Sequence, residues 1–259
     1  MKVYSHPFLY QLAFSYRNIE AETKLLTRWF HRASKGGSLK RVLELGAGPA
    51  DHAVCFARQG FRVCAVDKSS AMCSFALSQA NAKKAPVDVR CANMISFNLG
   101  KRFDLALAML DSLSHLHDLD EMVSHLTAVA RHLRRGGVYI VEMAHPASIL
   151  HGSQRTKSSW TISAQNLELK INWGHINDSF NPITQITNTS IRIEYAYNGR
   201  RKVLTDKMPL RVWTMTEFQA AVKLSSAFQI VEQHGSFNIN APFDNLRHSW
   251  RMISVLRRR

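Results

Sequence analysis

The stretch Arg41-Val42-Leu43-Glu44-Leu45-Gly46-Ala47-Gly48-Pro49-Ala50-Asp51 decides the fold. A short apolar run ends in two glycines one residue apart, and residues 51–58 then show the apolar spacing of a helix. Strand, glycine turn and helix, in that order, form the unit at which parallel sheets bind nucleotides. Gly46 and Gly48 place no side chain across the strand end, so a ligand can touch the backbone there. An acidic residue closing the next strand is then expected to grip ribose hydroxyls, and Asp67 lies 21 positions after Gly46.

The same alternation continues outward. Strands are expected at 41–45, 61–66, 87–91, 103–109 and 138–141, with helices over 51–58, 69–82 and 119–133 between them. Ser69 or Ser70 can cap the second helix, and Gly136-Gly137 is expected to end the third. An amphipathic helix over 19–31 precedes the first strand. Beyond 145–153 the composition changes. Residues 160–173 and 189–197 alternate apolar and polar side chains as antiparallel strands do, and Asn198-Gly199 is the pair that tight hairpins prefer. A helix over 216–224 and strands at 228–231 and 249–256 return the chain to the first sheet. The expected fold is α/β. A doubly wound, Rossmann-like, seven-stranded sheet is built from residues 1–150 and 211–259, and an antiparallel β lid is inserted over 151–210.

A chain of 259 residues with 46% hydrophobic and 20% charged side chains suits one large domain with an insertion and excludes a disordered or fibrous protein. No apolar run approaches the roughly 20 residues that cross a bilayer. The amino terminus lacks the apolar core of a signal sequence, so a cytoplasmic location without a membrane partner is expected. Cys55, Cys64, Cys73 and Cys91 fall singly, which reads as reduced core residues, and no His or Cys grouping has metal-ligand spacing. The net charge of +15 is uneven: residues 41–150 hold twelve positive and ten negative side chains, residues 151–259 fifteen and seven. A basic surface of this kind keeps a protein soluble, or attracts an anionic ligand or nucleic acid. Arg200-Arg201-Lys202 and Arg257 to Arg259 are the runs that fit such contacts.

A dinucleotide needs a third glycine so that helix-terminal N–H groups can reach its pyrophosphate, but Asp51 stands there. A carboxylate at the mouth of that helix repels phosphate and tolerates a cation. S-adenosylmethionine carries a sulfonium and no phosphate. Glu44-Leu-Gly-Ala-Gly, Val66-Asp67-Lys-Ser-Ser-Ala-Met72, Asn93-Met94, Phe103-Asp-Leu-Ala-Leu-Ala-Met-Leu110 and Leu133-Arg-Arg-Gly-Gly-Val-Tyr-Ile-Val-Glu142 together resemble the ordered motifs of class I S-adenosylmethionine-dependent methyltransferases. The resemblance covers residues 10–143. Beyond residue 150 only the plan is similar, to the small-molecule branch that includes amino-sugar and glycine N-methyltransferases.

The resemblance implies S-adenosylmethionine as cofactor and S-adenosylhomocysteine as product. Glu44 and the Gly46, Ala47 and Gly48 backbone would face the methionine moiety. Asp67 would take the ribose hydroxyls, and Lys68 or Met72 would lie beside the adenine. Asn93 and Met94 would frame the adenine edge, with Asn93 standing where aspartate is commoner and needing another partner to orient its amide. Arg17, in a segment resembling the family's amino-terminal cap, would pair with the cofactor carboxylate. Leu110 ends the fourth strand at the cofactor, and Tyr10, Asp111 and His115 are the candidates for removing an acceptor proton.

Trp160, Trp173, Tyr195, Tyr197 and Trp213 are expected to wall the acceptor pocket. The expected activity is transfer of a methyl group to nitrogen or oxygen of a small polar acceptor, an anionic one included, by a protein that can form a homodimer. The alternatives are an RNA methyltransferase using its basic surface, and a non-catalytic or NAD-dependent Rossmann protein.

Overall fold

The computed structural model describes residues 2–150, 158–164, 167–197 and 200–259. Two helices, α1 (Pro7–Ala13) and α2 (Ile19–Ala33), precede the sheet. Asn18 starts α2 by accepting from Ala21 N–H, and Leu26, Trp29, Phe30 and Ala33 form its buried stripe. The chain then winds β1 (Arg41–Leu45), α3 (Asp51–Arg58), β2 (Arg62–Asp67), α4 (Ser70–Ala82), β3 (Val87–Cys91), β4 (Phe103–Ala108), α5 (Leu119–His132) and β5 (Leu133–Ala144). After the short α6 (Ala147–Leu150) come β6 (Ser159–Ala164), β7 (Leu167–Trp173), β8 (Phe180–Asn181), β9 (Ile186–Tyr197) and β10 (Arg200–Arg211). Helix α7 (Met215–Ser225), opened by a Thr214–Glu217 capping box, leads to β11 (Phe228–His234) and β12 (Arg251–Arg258).

Seven strands run in the order β11-β12-β5-β4-β1-β2-β3. The pairs from β5 across to β3 are parallel, and β12 is antiparallel to both β5 and β11. Every residue of β4 is buried, as is all of β1 beyond Arg41, which is why these segments are apolar without alternation. One apolar layer joins the sheet to α5 and α7 through Leu126, Val129, Phe218 and Val222, and the other joins it to α2, α3 and α4 through Trp29, Phe30, Phe56 and Ala76. A second, antiparallel sheet has the order β10-β9-β7-β6 with β8 on β9. Its inner face, Leu169, Ile171, Ile191, Ile193 and Met208, packs against Val3, Leu9 and Ala13. The amino terminus therefore ties the two sheets together: Val3 N–H donates to Asp206, and Trp160 Nε1 donates to Ala13 O at 2.7 Å.

Several expectations are corrected. Gly136-Gly137 does not end α5, which stops at His132; both glycines lie within β5. Gly136 has φ +74°, and a Cβ on Gly137 would sit 2.8 Å from Arg134 O and 3.1 Å from Asp104 O, so the glycines permit the irregular start of the β4–β5 pairing. Pro7–Ala13 is helical, begun by proline at its first turn. Cys64 and Cys73 are buried as expected, but Cys55 is half-buried and Cys91 exposed. The Asn198-Gly199 turn lies outside the described residues, although Tyr197 and Arg200 are paired across the hairpin.

Candidate active site

The loop between β1 and α3 carries three residues in left-handed backbone: Gly46 (φ +59°), Gly48 (φ +53°) and Ala50 (φ +61°). Gly46 is confined on its open side too, because a Cβ there would lie 2.7 Å from Ser112 Oγ. Gly46→Ala combines backbone strain with that collision and is expected to destabilise the protein by about 2 kcal/mol or more, lowering Tm by roughly 4–8 °C in a thermal melt. Ala47 N–H donates to Val66 O, which ties the loop to β2. At the end of β2, Asp67 accepts from Gly48 N–H at 2.7 Å through one oxygen and from Ser69 N–H at 2.8 Å through the other. Burial raises its pKa, against the pull of those two bonds. Each oxygen keeps a lone pair for a ligand hydroxyl.

Behind the loop lies a charged network among apolar neighbours. Arg17 donates to both oxygens of Glu22, at 2.9 and 2.8 Å, and to Glu142 at 2.9 Å. His52 Nε2 lies 2.8 Å from Glu22 and its Nδ1 3.4 Å from Glu44. Burial pulls the pKa of His52 down, but the two carboxylates outweigh it and carry it to about 9, so His52 is a cation at neutral pH. Glu142, 1% exposed, also accepts from Leu110 N–H and lies 2.7 Å from Arg251 Nε, an ion pair whose angle is not that of a hydrogen bond. Burial works against its charge, yet Arg17 and Arg251 hold its pKa down to about 2.

The β4 loop is strained. Leu110 (φ +51°) and Asp111 (φ +62°) are consecutive left-handed residues without a glycine, a conformation kept only where the surroundings enforce it. Glu142 does so, accepting from Leu110 N–H through its side chain and from Asp111 N–H through its carbonyl. Asp111 Oδ1 accepts from Ala144 N–H at 2.9 Å. The Asp111 carboxyl is hemmed in by protein but opens on a cavity, and burial raises its pKa to about 6 despite nearby Arg251. His115 Nε2 meets Tyr4 Oη at 2.8 Å, and burial lowers its pKa to about 4. Burial pushes the Tyr10 phenol up, out of reach of neutral pH.

Two cavities meet here. The smaller, about 60 Å³, lies between the glycine loop and the cap and is lined by Tyr10, Arg17, Glu44, Gly46, Gly48 and Leu110 among others. The larger, about 1030 Å³, opens between the β4 loop and the second sheet; Tyr10, Phe14 and Leu110 border both. Asp111, His115, Trp160, Trp173 and Trp213 line the larger one, but Tyr195 does not, packing instead against the second sheet's apolar cluster. The side chain of Tyr197 lies outside the described residues. A cofactor-sized site spans about 300 Å³ or more. The smaller cavity alone is therefore too small, and the α1 cap, tethered by a 2.6 Å bond from Gln11 to Asp51, has to shift for a nucleoside to lie on the glycine loop.

Asp67, Lys68, Met72, Asn93 and Met94 border neither cavity. Asp67 still reaches the loop through Gly48 N–H, while Lys68 is exposed and Met72 is 1% exposed. Ala92 N–H donates to Asp67 O, which sets Asn93 beside the end of β2. Asn93 Oδ1 accepts from Ile95 N–H, an Asx turn that orients the amide. Glu22, His52, Arg251 and Tyr4 escaped the sequence reading. Glu142 carried a visible signal, since a lone carboxylate ends the apolar run Val138-Tyr-Ile-Val just as Glu44 sits inside β1.

Residues 42–137 match the family described as Methyltransferase domain. A protein of Geobacillus sp. (strain WCH70) described as a putative methyltransferase is 28% identical over 104 residues, which span 40% of this chain and 42% of that protein. Among solved structures, an S-adenosylmethionine-dependent methyltransferase from Clostridium acetobutylicum ATCC 824 superposes with a TM-score of 0.76 at 16% identity, covering 95% of this chain and 94% of that one. A SAM-bound amino pentose methyltransferase from Micromonospora echinaspora superposes with a TM-score of 0.73 at 17% identity, covering 98% and 96%. Residues 42–137 are thus a methyltransferase domain, set in a chain with the class I S-adenosylmethionine-dependent methyltransferase fold.

Proposed function

We propose that the protein transfers a methyl group from S-adenosylmethionine to a small polar acceptor, at nitrogen before oxygen. The observation that carries this reading is the pairing of a side-chain-free glycine loop with Asp67, whose two oxygens are fixed by Gly48 and Ser69 N–H and retain lone pairs for a ribose diol. Asp51 supports the choice of ligand: a half-buried carboxylate held by Gln11 stands at the first turn of α3, where a pyrophosphate would otherwise bind. In this reading Glu44 and Arg17 address the amino-acid end of the ligand. Bound there, S-adenosylmethionine supplies an electrophilic methyl on a sulfonium, next to the β4 loop.

The acceptor occupies the larger cavity, where Trp160 and Trp173 give flat apolar walls and exclude water. Asp111 is the base. As the acceptor nitrogen gives its lone pair to the methyl carbon and the carbon–sulfur bond breaks, the proton left on nitrogen passes to Asp111. Near its pKa of about 6 this carboxylate is ionised at neutral pH yet basic enough to take a proton, whereas His115 at about 4 is too weak a base. Tyr4 and His115 position the acceptor through their hydrogen-bonded pair. The amino pentose acceptor of the Micromonospora protein is an amine of this kind.

Calorimetric titration with S-adenosylhomocysteine tests the site. Micromolar affinity is expected, with a loss of about tenfold or more in Asp67→Ala, since two charge-assisted hydrogen bonds are worth at least ~1.4 kcal/mol. Unchanged affinity in the variant would refute the placement.

A further inference from the structure

The sheet has two ends, and the methyl-transfer site uses one. At the other, the amino-terminal ends of the parallel strands, basic residues recur on five adjacent strands. Going across the sheet, β12 ends in Arg257 and Arg258 with Arg259 next in the chain, Arg134 and Arg135 follow the first residue of β5, β4 is preceded by Lys101 and Arg102, β1 by Lys40, and β2 begins at Arg62 beside Arg41 of β1. Strand spacing makes this rim about 19 Å wide. Arg251 and Arg257, at opposite ends of β12, pair with Ala144 and Val138 of β5. Six residues of extended chain therefore hold the rim about 20 Å from the β4 loop.

Helix ends do not account for it. Arg32, Arg58, Arg131 and Lys223 close helices and complement their dipoles, but the rim cations begin or end strands, where no such dipole exists. Nor do carboxylates neutralise it. Asp104 takes Lys40 N–H, Arg41 N–H and Arg134, and Asp88 takes Lys101 and Arg90; among the described residues Lys40, Arg62, Arg102, Arg135 and Arg259 have no ion-pair partner. Burial lowers the pKa of Arg258, and Arg102 and Arg135 add to the shift, which puts three guanidinium groups close together. Arginine predominates, and its planar fork fits phosphate oxygens in pairs.

We infer that this rim is a docking surface for the sugar-phosphate backbone of a nucleic acid, held without regard to sequence and apart from the methyl-transfer cleft. Binding at the rim does not depend on methyl transfer in the cleft.

The test is fluorescence anisotropy of the full chain with a labelled mixed-sequence 30-nucleotide RNA across a salt series. Four phosphate contacts predict an affinity falling about 50-fold between 50 and 200 mM NaCl. Arg102→Glu with Arg135→Glu is expected to weaken binding tenfold or more at 50 mM salt. Arg200→Glu with Arg201→Glu, an equal charge change on the second sheet, is expected to change it less than twofold. S-adenosylhomocysteine affinity, read on the same samples, should be the same in all three proteins; if the glutamate pair misfolds, Arg102→Gln with Arg135→Gln replaces it. The inference is overturned if RNA does not bind at 50 mM salt, if both pairs weaken binding equally, or if vesicles containing anionic lipid bind more tightly than RNA and compete it away.

Discussion

Glu142→Ala is expected to destabilise the protein by about 3–5 kcal/mol at pH 7, because it leaves Arg17 and Arg251 as buried guanidinium groups without their shared carboxylate. The corresponding fall in Tm is roughly 10 °C, read by calorimetry. Its pH dependence follows from the position of the carboxyl. In the folded protein the Glu142 pKa is about 2, below its usual 4.5, so its contribution is fully present above pH 4.5 and is lost as the pH falls towards 2. The gap between wild type and variant should therefore narrow on acidification. A gap of less than 1 kcal/mol at pH 7 would mean that the network is better solvated than its 1% exposure implies. The β4 loop should loosen as well, since Glu142 holds the two left-handed residues in place through Leu110 and Asp111 N–H.

Asp111→Asn is expected to lower the rate of methyl transfer by about 10² to 10⁴ while leaving cofactor affinity within about twofold. Asparagine keeps the size, tolerates the left-handed backbone and can still accept from Ala144 N–H, so only the proton-accepting charge is lost. In the wild type, activity should rise with pH through about 6 as Asp111 ionises, and the variant should lack that step. Stability should move the other way. The folded carboxyl keeps its proton to about pH 6 and the unfolded one only to about 3.8, so stability falls across that interval as pH rises. Replacing the group with a neutral amide should therefore add about 3 kcal/mol above pH 6, or roughly 6–12 °C in Tm, and nothing below pH 4. A variant with full activity would remove Asp111 from the chemistry.

The parallel sheet was readable because both its central strands are buried on both faces and its helices are amphipathic: β1 and β3 begin and end where expected, β2 is shifted by one residue at both ends, β4 ends one residue early, and β5, expected over 138–141, runs from Leu133 to Ala144. What misled were residues whose role is set by distant partners. Gly136-Gly137 has the local chemistry of a helix stop, but crowding by Asp104 O from the neighbouring strand assigns it to a bulge. Arg17 borders the smaller cavity, and only the fold reveals that Glu22, five residues on, and Glu142, 125 residues away, also pair with it. His52 is one of 12 histidines, and nothing local says that two carboxylates flank it. Tyr4 meets His115 across 111 residues for the same reason. The glycine loop and Asp67 lie close in sequence, and their adjacency was legible. The larger cavity is assembled from the amino terminus, the β4 loop and the second sheet, and has no contiguous signature.

The claim on which the rest depends is that an adenosyl ligand lies on the glycine loop with its sugar on Asp67. A crystal structure with S-adenosylhomocysteine bound measures this directly. Both ribose hydroxyls are expected within about 3 Å of the Asp67 oxygens, with Tyr10 and the rest of α1 displaced from their place over Gly48 to make room. An adenosine moiety bound elsewhere, or a ribose turned away from Asp67 with the cap unmoved, would contradict it.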